Sequence, residues 1–299
     1  MSVRVGPAGW SYKDWSGVVY PKPAPRGFDP LGYLALYFDA LEINSTFYRP
    51  QPARVMHGWV ERVAHNPRFR FTAKLLRRFT HERAEAWTKS EVREARAGFE
   101  VLQEHRRLGA VLLQFPWSFK RGEPEKEWLR DLFSAFAGLP LVVEVRHASW
   151  NEADFFAELM ERGVGFVNVD QPMFKNTIPP GAHVTSSVGY IRVHGRNFRD
   201  WFRKDAGRDA RYDYLYEPRQ LLPWVERAQD LAADRNTREV YVVTNNHFRG
   251  QAVVNGLQLQ SMLEHRRVVA PPTLLAAFPE ALRDFVVAPV GAADEHPAP

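Results

Sequence analysis

Glu144, Asp170 and His194, with Glu42 nearer the N-terminus, are the residues of this sequence best suited to chemistry. Two carboxylates and an imidazole form a hard-cation ligand set for Mn, Mg or Zn. They are equally an acid–base set, in which a carboxylate takes a proton and a histidine orients the ligand or returns the proton. We take Glu42, Glu144, Asp170 and His194 as candidate catalytic residues, with Glu144 or Glu42 as general base. Cations accompany them: Lys74, Arg146, Arg192 and Arg196, with Arg77, Arg78, Arg199, Arg203 and Lys204 close by in the chain. Guanidinium groups make bidentate, charge-assisted bonds to phosphate and carboxylate, so these residues fit an anionic ligand. Asp200, Asp205 and Asp209 cancel part of that charge.

Aromatic residues share the same stretches, among them Trp10, Tyr12, Trp15, Phe47, Tyr48, Trp117, Phe119, Trp150, Phe198, Trp201 and Phe202. Such rings stack on a sugar face or an unpaired base, and interleaved with arginine they suit single-stranded nucleic acid. The competing role for each is packing on the rim of the core. Of these we assign Trp10, Tyr12, Tyr48 and Trp150 to ligand binding. Asn44, Lys74, His81, Gln114, Arg146, Arg192, Arg196, Asn245 and Asn246 complete that set. His81 is also a candidate acid or base.

The inventory removes other chemistries. With Cys 0 there is no disulfide, thiolate nucleophile or cysteine-bound metal. No Gly-x-Ser-x-Gly elbow, P-loop or dinucleotide fingerprint is present. The net charge of +5 leaves nucleic acid, phosphate or an anionic membrane surface open as partners without selecting one. The N-terminus lacks an apolar signal core and no apolar run approaches ~20 residues, so we expect a cytoplasmic protein with no membrane partner.

Positioning these groups requires a scaffold, and the chain supplies a repeating one. Short β-branched or aromatic runs predict strands at Val3–Ala8, Ala40–Asn44, Arg68–Lys74, Ala110–Phe115, Leu141–Arg146, Val164–Asp170, Gly189–His194 and Val240–Asn245. Amphipathic helices are predicted at Pro30–Phe38, Pro52–Ala64, Thr88–Arg107, Glu125–Phe136, Asn151–Arg162, Glu217–Ala233 and Ala252–His265. Thr88 with Glu91 forms a capping-box pattern, and Ser149 and Asn151 are expected to cap the helix that follows them. The sixth crossover, Gln171 to Ser187, is rich in Pro and Gly.

Eight strand–helix units predict an α/β fold, a (β/α)8 TIM-type barrel in a single domain over residues 1–287, with a frayed tail over 288–299. An open doubly wound sheet is the alternative, but its strands are apolar on both faces. Here one parity is apolar (Leu41 and Ile43, Phe71 and Ala73, Val143 and Val145, Val167 and Val169, Ile191 and Val193). The other is polar toward the strand ends (Glu42, Asn44, Lys74, Gln114, Glu144, Arg146, Asn168, Asp170, Arg192, His194, Asn245). Of these, Glu42, Lys74, Gln114, Glu144, Arg146, Asp170, Arg192, His194 and Asn245 are expected to line one concavity at the C-terminal face.

The segments Gly9–Trp15 (GWSYKDW), Leu41–Arg49 (LEINSTFYR), Leu112–Phe119 (LLQFPWSF), Val143–Trp150 (VEVRHASW), Tyr190–Arg196 (YIRVHGR) and Thr244–Asn255 (TNNHFRGQAVVN) resemble the YecE-like family, domain of unknown function 72. The resemblance runs from about Val3 to His265 and implies a TIM-type barrel without an established activity. Thr244-Asn245-Asn246-His247 stands where Phe-Asn-Asn-Asp is usual in that family, so no carboxylate is expected at strand eight. Together these readings give a barrel that binds an anionic, sugar-containing ligand (a phosphosugar or nucleotide) at its C-terminal mouth, as an enzyme with carboxylate and histidine acid–base chemistry. A sulfate or phosphate is expected near Arg192, Arg196 and Lys74. Alternatives are a non-catalytic nucleic-acid binder, a metal-dependent isomerase or endonuclease-like barrel, and a scaffold for a partner protein. No cofactor and no tightly held metal are expected, because Asn245 is a neutral fourth ligand and Arg146 and Arg192 compete for the carboxylates.

Overall fold

The alternation of β-branched runs with amphipathic segments builds eight parallel strands: β1 (Ser2–Pro7), β2 (Ala40–Ile43), β3 (Arg70–Lys74), β4 (Leu108–Gln114), β5 (Leu141–Glu144), β6 (Gly165–Asp170), β7 (Val188–Val193) and β8 (Glu239–Thr244). The computed structural model describes residues 2–199, 201, 203 and 210–289. Phe202, Lys204, the aspartates at 200, 205 and 209, and the tail from residue 290 onward lie outside them. The strands pair in the order β1-β8-β7-β6-β5-β4-β3-β2. The two ends of that sheet meet through a bridge between Ala8 and Glu42 and a 2.8 Å bond from the Gly9 N–H to the Glu42 carbonyl. Gly6 permits this approach, because a Cβ there would sit 1.7 Å from the Ala40 carbonyl oxygen. The chain is a single α/β domain, a nearly closed TIM-type barrel.

Helices α1 (Pro30–Leu34), α2 (Ala53–Arg62), α3 (Arg77–Thr80), α4 (Lys89–Glu104), α5 (Glu123–Ala135), α6 (Ala153–Arg162), α7 (Pro218–Ala233) and α8 (Gln251–Glu264) surround it. The short α9 (Pro272–Ala277) and α10 (Pro279–Leu282) follow, with a small pair of strands, β9 (Val268–Val269) and β10 (Val286–Val287). The capping box of Thr88 and Glu91 starts α4 as the sequence predicts. Ser149 and Asn151 do not cap α6, whose first residue follows Glu152 without a side-chain bond. A 3₁₀ turn at Ala148–Trp150 intervenes, and Ser149 Oγ accepts the Arg121 N–H instead. The sixth crossover holds no helix. Asn168 pins it by accepting the His183 N–H at 2.8 Å and donating to the His183 carbonyl at 3.1 Å.

Two apolar layers result. The outer one packs Leu41, Ile43, Phe71, Ala73, Val143 and Val145 against the helices, and the inner one fills the barrel with small residues such as Ala8, Ala40 and Ala110 against Tyr190 and Tyr241. Strand β6 reverses the expected parity. Val167 and Val169 belong to the inner layer, whereas Asn168 and Asp170 pair in register with Ile191 and Val193, which face the helices. Both faces of β6 are buried, as in β2 and β5, so burial does not fix the facing. Asn168 and Asp170 turn outward because their partners, His183 for Asn168 and Arg196, Tyr216 and Trp224 for Asp170, lie there.

Candidate functional site

At the C-terminal end of the barrel, β2, β5 and β7 bring Glu42, Glu144 and Arg192 together, all fully buried. Arg192 holds Glu42 bidentately, with Nε 2.9 Å from Oε2 and Nη2 2.5 Å from Oε1, and its Nη1 donates to Glu144 Oε2 at 2.8 Å. Arg146 takes the other oxygen of Glu144 through Nε at 2.9 Å and Nη2 at 2.8 Å. His194 Nε2 lies 3.1 Å from Glu144 Oε1, and the Asn245 amide lies 2.9 Å from His194 Nδ1. The Tyr190 hydroxyl, 3.1 Å from Glu42 Oε2, completes the layer. Two carboxylates meet two guanidiniums, so the floor of the mouth is neutral by pairing, the arrangement buried charges require.

These contacts set the protonation states. Burial alone would raise the Glu144 carboxyl, but Arg192, His194 and Arg146 hold it well below the ordinary carboxylate range. Burial lowers the His194 imidazole to about 3, against the pull of Glu144 and with the help of Arg146 and Arg192, so it is neutral. Lys74, at the end of β3, is the surplus cation. Burial first, then the nearby Arg192, lowers its ammonium to about 7, with Glu42 and Glu144 opposing and Arg146 adding to the depression. His81 falls to about 4 through burial and the charges of Lys74 and Arg146.

Above this floor opens a cavity of about 750 Å³. Of the expected ligand-binding residues it is lined by Trp10, Tyr12, Asn44, Tyr48, Lys74, His81, Gln114, Arg146 and Asn245. Glu42, Glu144, Arg192 and His194 lie beneath them, fully buried. Lys74 Nζ stands 4.3 Å from the Phe47 ring centroid, and His81 meets the same ring edge-on at 4.9 Å. Trp59, Trp117, Trp201, Arg211, Tyr212 and His247 add to the lining. Among the described residues, the lining carries three cationic side chains (Lys74, Arg146 and Arg211) and no carboxylate.

Four expected site residues are placed elsewhere. Asp170 faces α7, where it accepts both Arg196 Nε contacts at 3.0 Å and bonds from Tyr216 and Trp224. Burial raises its carboxyl despite these partners. Arg196 is therefore spent on Asp170 and on the Tyr216 ring, so the expected convergence of Arg192, Arg196 and Lys74 on one anion does not form. Asn246 donates to the Tyr214 carbonyl and to Asn255 of α8. Trp150 is fully buried, donates to the Phe119 carbonyl at 2.8 Å and stacks on that ring. Each is polar or aromatic at a strand end, as a site residue would be. Each serves instead to hold a loop to the helix layer.

With Asp170 on the outer face, the triad of Glu144, Asp170 and His194 is not assembled. Among the described residues, no group of three or more His, Asp or Glu is placed to hold a metal ion. Trp59, Arg211, Tyr212 and His247 line the cavity without a ligand role legible in the sequence. His247 stacks on Tyr12 at 4.4 Å and contacts Tyr212 at 4.8 Å. Its signal in the sequence is the departure at strand eight, where His247 replaces the aspartate usual in the family the chain resembles. Trp59 sits on the apolar stripe of α2 and is indistinguishable in sequence from a core residue.

An eight-stranded parallel barrel with its cavity at the C-terminal face defines a TIM-type barrel with the site geometry of that class. Residues 4–278 match the family described as Protein of unknown function DUF72, and the chain belongs to that family. It is similar to the UPF0759 protein YunF of Bacillus subtilis (strain 168), 27% identical over 275 residues that span 88% of this chain and 95% of that one. Among solved structures, a DUF72 family protein from Thermotoga maritima MSB8 is 34% identical with a TM-score of 0.75, covering 88% of this chain and 100% of its own. A DUF72 family protein from Enterococcus faecalis V583 is 25% identical with a TM-score of 0.73, over 88% and 96%.

Proposed function

We propose that the mouth cavity binds an anionic, sugar-containing ligand of the phosphosugar or nucleotide type and that the protein acts on it as an enzyme. The observation that carries this reading is the composition of the lining: the guanidiniums of Arg211 and of Arg146, the latter shared with Glu144 beneath, the partly protonated Lys74 amine and no carboxylate among the described residues, within walls of tryptophan and tyrosine. A phosphate would meet Arg146 and Arg211, and a ring would lie against the aromatic walls. Arg146 is suited to the task because Glu144 and the Trp201 ring, 5.7 Å away, fix its guanidinium in place. Glu42 and Glu144, expected as the general base, are committed to ion pairs below the lining. Acid–base work in the cavity falls to Lys74 and His81, the titratable groups with depressed pKa values that face it.

Tryptophan fluorescence tests the binding, since Trp10, Trp59, Trp117 and Trp201 all line the cavity. Titration with glucose 6-phosphate should give a saturable change that unphosphorylated glucose does not, and Arg146→Ala should weaken it at least about tenfold, the value of one charge-assisted bond. If an oligonucleotide binds with a steep salt dependence while glucose 6-phosphate does not bind at all, the small-ligand reading fails and the nucleic-acid reading replaces it.

A further inference from the structure

Lys74 differs from the other cations of the mouth. Arg192 and Arg146 consume all the carboxylate oxygens of Glu42 and Glu144, and among the described residues the Lys74 amine has no hydrogen bond or ion pair. Its fixed neighbour is the face of Phe47. The groups around it are two guanidiniums, the two carboxylates they neutralise, and the neutral His81. A lysine used to neutralise a carboxylate is paired with it. A lysine used only to hold an anion keeps its charge, whereas here burial and the two guanidiniums outweigh the carboxylates and the Phe47 face that favour it. An unpaired, desolvated amine opening into a ligand-sized cavity is the arrangement of a nucleophile.

We propose that Lys74 is a covalent amine that captures the carbonyl carbon of an open-chain aldehyde or ketone borne by the anionic ligand, as an imine. This rests on the reading of the cavity as an anion site and adds a substrate class to it. The Nζ lone pair adds to the carbonyl carbon, the C–O π pair moves to oxygen, and one N–H proton passes to that oxygen to give a carbinolamine. The carbinolamine C–O bond then breaks, its hydroxyl leaves as water with a proton taken from solvent, and the nitrogen lone pair forms the protonated imine. No oxidant or reductant takes part. The depressed ammonium of Lys74 leaves about half of it neutral near pH 7, whereas an ordinary lysine, at about 10.5, is almost wholly protonated there.

The full chain is incubated with glycolaldehyde phosphate and sodium cyanoborohydride, and its eight lysines are compared by peptide mass mapping. The expected result is one dominant reduced adduct at Lys74, forming at least tenfold faster than at any other lysine at pH 7, with half-maximal rate near pH 7 in the unmodified sequence. Lys74→Met, checked by circular dichroism, should lose that adduct and keep the slow background. Labelling of Lys74 no faster than the rest overturns the proposal. Fluorescence titration with sorbitol 6-phosphate, which has no carbonyl, separates the two layers. If it binds while Lys74 stays unreactive, the amine chemistry alone is wrong. If neither occurs, the anion site fails as well.

Discussion

Arg192 fixes the charge balance at the mouth, because it reaches both carboxylates from the centre of the barrel. Removing one member of such a buried set strands the others, at a cost of about 3–5 kcal/mol. Glu42→Gln is therefore expected to lower the free energy of unfolding by about that amount in urea titration, whereas Tyr48→Ala, at an exposed position of the same mouth, should change it little. Glu42, Lys74, Gln114, Glu144, Arg146, Arg192, His194 and Asn245 were legible as one cluster, because strand parity and position near the strand ends suffice to gather them. Their division of labour was not. That Glu144 is a counter-ion and Lys74 the unpaired group follows only once Arg192 and Arg146 are seen to use every carboxylate oxygen.

At the scale of elements, all eight strands were legible in the sequence, β6 included, and so were the faces of β2 to β5. Only the facing of β6 was misassigned: its polar pair, Asn168 and Asp170, is buried like the polar residues of β2 and β5 but finds its partners on the helix side. Partners far along the chain, Tyr216 and Trp224, satisfy Asp170 outside the barrel, and nothing local announces them. Asp170 thus ties β6 to the loop after β7 and to α7, with the Gly195 N–H bonded to the same Tyr216 hydroxyl at 2.8 Å. Asp170→Asn should leave the Arg196 guanidinium without its counter-ion and speed amide hydrogen exchange at Gly195 and Tyr216, while exchange in β2 to β4 stays unchanged. Gly6→Ala should act on the closure between β1 and β2, with a loss of several degrees in melting temperature, because the new methyl meets the Ala40 carbonyl.

For the whole molecule, the depressed groups of the mouth make stability depend on pH in two windows. His194 and His81 are neutral in the folded chain down to about 3 and about 4, but take up protons near 6.5 when unfolded, so stability is lost as pH falls below about 6.5. Lys74 titrates near 7 when folded and near 10.5 when unfolded, so its contribution rises with pH between those values. Subtracting the unfolding free energies of Lys74→Met from those of the unmodified chain should isolate that second rise, and a flat difference from pH 7 to pH 10 would contradict the assignment.

The cavity above Arg146 and Lys74 is the proposed seat of the anion and its sugar. A crystal structure of the protein soaked with glucose 6-phosphate tests it most directly. The phosphate should be found against Arg146 and Arg211, with the carbon chain or ring extending between Trp10 and Trp117 toward Lys74. Density for the phosphate only on the outer helices, with the mouth holding nothing but solvent, would contradict it.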